Sequence, residues 1–403
     1  MKRLALALTF MFSVSPALAH DHAPKPRVAV TGCAEPILAC ARSATPAFGP
    51  GGKVWIVWSA AGQVFVSASQ DRGGSFAEPV AVSEQPPATI DDNGEARPKL
   101  LALADGTLVV VYGVRVDKSY NAVTMISRST DGGQSFSTPV RLLDEVGQRF
   151  ETLVAAPGGR LYLAWLDRRN QRAAKAAGQI YNDTGVAVAW SDDGGVSFAG
   201  KRILADYSCD CCRLAATIDR DGLPVYAWRH VYGKNLRDHA VAKLSADGAA
   251  LTPLRVSEDE WAIDACPMHG PSLSVDPAGS WHVAWYTAGK RRQGLFYARS
   301  DDGGVTFSEP QGFGHPARPP SRPQVMASGE QVWRLWKEFD GVTTTVMAQS
   351  SADHGQSWDA PRPVAATADA SDHPLLVNDG AVPLLSWLTR AEGYRLLPLA
   401  PSH

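Results

Sequence analysis

Short apolar runs closed by an aromatic residue recur along the chain, ending at Trp58, Tyr112, Trp165, Trp228, Trp285, Trp336 and Trp387. Glycine-containing turns such as Ala104-Asp105-Gly106 lead into them, and Thr107 to Tyr112 is a representative run. No long stretch carries helical periodicity. Short strands at regular spacing, separated by turn signals, predict an all-β chain built from a repeated unit. Seven aromatic markers predict seven units, each with a strand, a turn, a second strand ending at the marker, a third strand, a polar hairpin and a fourth.

The polar hairpins repeat as strongly as the apolar runs. Ser69-Gln70-Asp71-Arg72-Gly73-Gly74-Ser75-Phe76 returns as Ser129 to Phe136, Ser191 to Phe198, Ser300 to Phe307 and Ser351 to Trp358, always Ser-x-Asp-x-Gly-x-Ser/Thr-aromatic. A worn copy, Ser245-Ala246-Asp247-Gly248, evens the spacing to about 51 to 62 residues, the range of propeller blades. The last unit, His373 to Leu399, has three strands and no such hairpin, while Pro26-Arg27-Val28-Ala29-Val30 resembles the fourth strands Pro79 to Val82 and Pro363 to Ala366. The amino-terminal strand is therefore expected to complete the last blade and close the ring, which protects the sheet edges. The fold expected for residues 26–403 is one seven-bladed β-propeller, with six blades as the alternative if the first unit is only a decorated strand.

The hairpin pattern resembles the Asp-box of the sialidase superfamily, which is shared by many propellers that are not sialidases. The resemblance covers nearly the whole chain and implies architecture rather than activity. Turn chemistry accounts for each residue of the box: glycine for φ > 0, Ser and Asp for turn amides, the aromatic for packing.

The first residues change the setting. Lys2-Arg3, the apolar run Leu4 to Val14 and Pro16-Ala17-Leu18-Ala19 read as a secretory signal, residues 1–19, followed by a flexible stretch at 20–25. The apolar run is too short to span a bilayer. A periplasmic or secreted protein is expected, a monomer without a membrane span. A formal net charge of −2 and a pI near 6.6 speak against nucleic acid as a partner and leave a metal ion, a small anionic or glycan ligand, or a periplasmic protein.

All six cysteines fall in loops that join one blade to the next. Cys33 and Cys40 precede the first blade, Cys209-Asp210-Cys211-Cys212-Arg213 the fourth, and Cys266-Pro267-Met268-His269 the fifth. Blades four and five are neighbours, so Cys209, Cys211, Cys212, Cys266, Met268 and His269 would converge as thiol, thioether and imidazole donors. These soft ligands suit Cu(I), with zinc as the alternative. The competing reading is a set of disulfides, Cys33 with Cys40 and Cys266 with one of the clustered thiols, and mixed use is a third. His20-Asp21-His22, freed by cleavage after Ala19, offers a second arrangement suited to Cu(II).

The same blade-opening loops carry Arg97, Arg213 and Arg322. In sialidases three arginines grip the substrate carboxylate, a Tyr-Glu pair is the nucleophile and an Asp is the acid, so the resemblance implies these arginines as a clamp and Asp117 as the acid. Arg97-Pro98 followed by Asp105-Gly106-Thr107-Leu108 is similar to the family's Arg-Ile-Pro blade opening without its isoleucine, and Arg322-Pro323 to a later one. No tyrosine and glutamate match the nucleophile pair, which counts against hydrolysis; Tyr207 and Glu151 align with no family motif. Three solvated loop arginines and a surface aspartate are the plain alternative. A glycan- or protein-binding propeller stabilised by disulfides is the remaining class.

Overall fold

The apolar runs pair as the pattern predicts. The computed structural model describes residues 35–83, 87–181, 183–249 and 251–399, and they form seven antiparallel sheets. Blade one runs from Ala44–Phe48 through Val54–Ala60 and Gln63–Ser69 to Val80–Ala81, each strand pairing with the next. Blades three to six repeat this meander, opening at Gln148–Ala155, Ala215–Ile218, Ser272–Val275 and Ser321–Ser328. Blade two splits its first strand, so that Thr89–Ile90 and Lys99–Ala102 both pair with Leu108–Arg115. Seven blades, not six, are present. The last has three described strands, Leu375–Asn378, Pro383–Thr389 and Gly393–Pro398. The signal at 1–19, the stretch 20–25 with His20 and His22, the strand expected at 26–30 and Cys33 lie outside the described residues.

One helix interrupts blade three at Arg169–Ala176. Its sequence has no apolar stripe, so periodicity does not announce it. No helix among the described residues is long and apolar enough to cross a membrane.

The seven aromatic markers are the core, all at most 4% exposed. Buried indoles need acceptors. Those of Trp165, Trp285 and Trp336 donate to carboxylates of Asp167, Asp259 and Glu338 at 2.7–2.8 Å, and that of Trp387 to the Asp372 carbonyl at 3.0 Å. The markers thereby position acidic residues as well as filling volume.

The five hairpins share one hydrogen-bond scheme. In the box at 129–136, Ser129 Oγ donates to Asp131 at 2.8 Å and accepts from Gly133 N–H at 2.9 Å, while Asp131 takes the N–H and hydroxyl of Ser135. Gly133 sits at φ +82°, and a Cβ there would lie 2.5 Å from the Trp55 ring of the preceding blade. The corresponding Gly73 of blade one approaches Leu396 of blade seven, so this docking also links the ends of the ring. Each hairpin thus seats its blade on the one before.

Gly133→Ala should destabilise the protein by about 3 kcal/mol, through overpacking plus a left-handed alanine. Gly132→Ala, also at positive φ but facing open space, should cost about 1 kcal/mol. Chemical denaturation of the two variants checks this, and equal losses would refute the docking role.

Candidate functional site

Strand direction decides which loops share a face. In a four-stranded antiparallel meander, the loop before the first strand and the loop between the second and third lie at the same end. The cysteine loops and the segments around 168–183 and 230–238 are therefore neighbours, and the Ser-Asp-Gly hairpins lie at the other end.

At the first end a buried carboxylate joins several blades. Glu95, just before Lys99–Ala102, has a fully buried side chain. Its Oε1 is 2.7 Å from Arg213 Nη1 and 2.7 Å from Arg322 Nη1, and its Oε2 accepts the N–H groups of Arg213 at 3.2 Å and Gly270 at 2.9 Å. Blades two, four, five and six meet on this one group. Burial by itself would raise the Glu95 pKa, but Arg213, Arg322 and the Gly270 amide outweigh it and hold it down at about 2. His373 Nδ1 stands 3.6 Å away without a hydrogen bond, and burial, first, then Arg322 and Arg97 keep its pKa well below the ordinary value. Gly270 packs so closely that a Cβ would lie 2.3 Å from Arg213 Cγ.

Arg97 is engaged elsewhere. It grips Asp372 with two bonds of 2.8 and 3.0 Å, both side chains 2% exposed, and also donates to the Gly94 carbonyl. Asp372 accepts the Ala44 N–H as well, joining blades one, two and seven. The three arginines expected to clamp a ligand carboxylate are thus occupied by carboxylates of the chain itself, Glu95 and Asp372. Asp117 lies in an exposed turn. It accepts from the side chain and N–H of Asn121 and the N–H of Ser119, and these bonds hold its pKa low, opposite to what an acid catalyst needs. Glu151 accepts from Thr124 Oγ1 at 2.8 Å, with burial pushing its pKa up to about 7, and exposed Tyr207 lies against Tyr181. Neither contact makes a Tyr-Glu pair.

The thiols do converge. Cys209, Cys211 and Cys212 are buried and free, with their sulfurs all within 4.8 Å of one another; Cys209 Sγ is 3.5 Å from Cys211 Sγ and 3.7 Å from Cys212 Sγ. Cys266, exposed and also free, brings its sulfur within 4.8 Å of Cys211 and of an Asp210 oxygen. Met268 packs on the cluster. His269 does not join it: its ring stacks on Tyr286 at 4.3 Å, and its Nδ1 is buried without a partner. Cys40 is disulfide-bonded. Among the described residues one cysteine is therefore disulfide-bonded and four are free.

Positive charge surrounds the sulfurs. Arg237 Nη1 donates to Cys209 Sγ at 3.3 Å, and Arg168 holds Asp210 at 2.8 Å. Hydrogen bonds from Cys211 and Cys212, then Arg229 and Arg237, lower the Cys209 pKa well below the thiol range, while its neighbours Cys211 and Cys212 are pushed up. Arg168 and Arg237 are the residues that sequence reasoning missed. They come from second-to-third-strand loops, and the parity of the meander is the signal that would have found them. Two left-handed non-glycine residues flank the cluster, Tyr207 at φ +61° and Met268 at φ +50°, strain of the kind held at functional sites.

No protein-family profile matches the chain, and no curated protein matches it. Solved structures do. An ulvan lyase, a polysaccharide lyase, superposes with TM-score 0.58 at 11% identity over 87% of this chain and 91% of its own. A protein of unknown function from Dyadobacter fermentans gives 0.54 at 16% identity over 80% and 95%. A Hadza microbial sialidase gives 0.49 at 15% identity over 75% and 64%. At these identities the first two likenesses show the fold alone.

Glu95→Gln should cost about 3 kcal/mol, because it leaves two partly buried guanidinium groups without their shared countercharge. A carboxylate with a depressed folded pKa stabilises above its unfolded value and loses that contribution as pH falls through the folded one. Wild-type stability should therefore decline from about pH 4.5 towards about 2, and Glu95→Gln should flatten that decline. Urea titrations across this range measure it, and an unchanged slope would contradict the assignment.

Proposed function

We propose that this propeller binds a soft metal ion, copper as Cu(I), through Cys209, Cys211 and Cys212, with Cys266 and Met268 as adjoining donors, in an exported protein that sequesters or delivers the metal. The observation that carries the reading is the set of buried free sulfurs 3.5 and 3.7 Å apart. Thiolates sharing one metal at bonds of roughly 2.3 Å sit about 3.8–4.0 Å apart. The cluster is already near that spacing.

Three further features support it. A thioether beside thiolates suits Cu(I), whereas Zn(II) takes thiolate, imidazole and carboxylate. A metal held by several thiolates carries net negative charge, and Arg229 and Arg237 offset it. Cys40 is disulfide-bonded while these four thiols are free, which leaves them available as ligands. The rival, a glycoside hydrolase with an arginine clamp, has less support, since a substrate carboxylate would have to displace Glu95 and Asp372.

Protein purified without chelator should contain about one copper per chain and, once stripped and denatured, four free thiols. Cys212→Ser should weaken Cu(I) binding by roughly 100-fold, at least the loss seen when even the supports of metal ligands are removed. Competition against a Cu(I) chelator measures this. Metal-free protein that lacks free thiols and takes up no Cu(I) would overturn the proposal.

A further inference from the structure

A second feature, unconnected with the thiols, lies between blades five and six. There the outer strand Gln311–Phe313 and the loop after it face the strands Gln331–Phe339 and Thr344–Ser351 across a cavity of about 320 Å³. Phe313, Pro316, Trp336, Met347 and Pro361 supply apolar walls. His315, Arg318, Glu338, Gln349 and the buried Arg334 supply its polar lining.

Arg334 is 4% exposed, yet its guanidinium has no carboxylate within ion-pair distance among the described residues. It lies 4.5 Å from the Phe313 ring and 4.1 Å from that of Trp358, so aromatic surfaces hold its faces. Nε donates to Gln349 Oε1 at 2.8 Å. Nη1 is buried with no hydrogen-bond partner. Burial without a countercharge brings its pKa down to about 9. Arg97 holds Asp372 and Arg149 holds Asp91, while Arg229, also without a carboxylate among the described residues, donates through its terminal nitrogens to the carbonyls of Arg237, His269 and Tyr286; Arg334 has no such partners on Nη1. A buried charge left unpaired is strongly unfavourable.

We propose that the cavity is a binding site for a small organic carboxylate with an apolar body, whose head pairs with Arg334. Side chains alternate along a strand, so Arg334, Trp336 and Glu338 line one face, and at about 3.3 Å per residue Glu338 stands roughly 13 Å from Arg334 along the backbone. Glu338 Oε1 is already taken by the N–H of His315 and the indole N–H of Trp336, both at 2.8 Å. A carboxylate head at that end would meet Glu338, so the head turns to Arg334 and the body lies along Trp336 and Met347.

Calorimetric titration of the full protein with phenylacetate and with phenylacetamide, its neutral counterpart of nearly the same shape, tests the site without any mutation. Phenylacetate should bind, and phenylacetamide should bind roughly ten-fold more weakly or worse, the loss expected when a charge-assisted hydrogen bond is removed. Arg334→Met, which keeps the volume, should abolish phenylacetate binding and leave the ligand-free protein at least as heat-stable as wild type. If that variant does not fold, the two wild-type titrations decide. No phenylacetate binding at millimolar concentration, equal binding of the two compounds, or undiminished binding by Arg334→Met would each overturn the proposal.

Discussion

Two guanidinium groups, from Arg213 and Arg322, share the buried carboxylate of Glu95, and the blade-opening loops that carry the thiols depend on that contact. Removing such a charge from water costs several kcal/mol unless it is paired and hydrogen-bonded, and here the arginines and the Gly270 amide answer it. The same contact fixes both arms of the thiol cluster. Arg213 directly follows Cys212, Gly270 lies two residues beyond Met268, and Arg322 also donates to the Met268 carbonyl. A carboxylate on blade two thereby sets where sulfurs on blades four and five can stand.

The other end of the propeller has a different task. Ser-Asp-Gly hairpins use their glycines to seat each blade against its predecessor, and Gly73 on Leu396 joins blade one to blade seven. Arg97 with Asp372 makes a second link between the ends of the ring at the opposite face. Architecture is repeated around the ring, whereas the sulfur chemistry is confined to two adjacent loops. That division explains how so regular a fold can carry one irregular site.

The repeat was legible because each blade must bury an aromatic and turn a glycine hairpin at fixed positions, from Trp58 to Trp387. The meeting of Cys209, Cys211, Cys212 and Cys266 was legible for the same reason, since blade order makes their loops neighbours. The partners of the arginines were not. Arg213 and Arg322 lie 118 and 227 residues from Glu95, and an ion pair at such separation leaves no periodic trace. Three blade-opening arginines therefore read as a clamp awaiting a ligand, when the chain fills two with Glu95 and the third with Asp372. Helix Arg169–Ala176 and Arg237 escaped notice because they sit in loops whose shared face follows from strand parity, not from composition. The sequence neighbours of His269 suggest a donor, but its ring stacks on Tyr286 and stands outside the group of sulfurs within 4.8 Å of one another.

X-ray absorption at the copper edge of the Cu(I)-loaded protein reads the ligand set of the cluster. The shell should be dominated by sulfur, with at least the three scatterers of Cys209, Cys211 and Cys212, and should lose sulfur in Cys212→Ser. A shell of nitrogen and oxygen alone would contradict copper binding by these thiols.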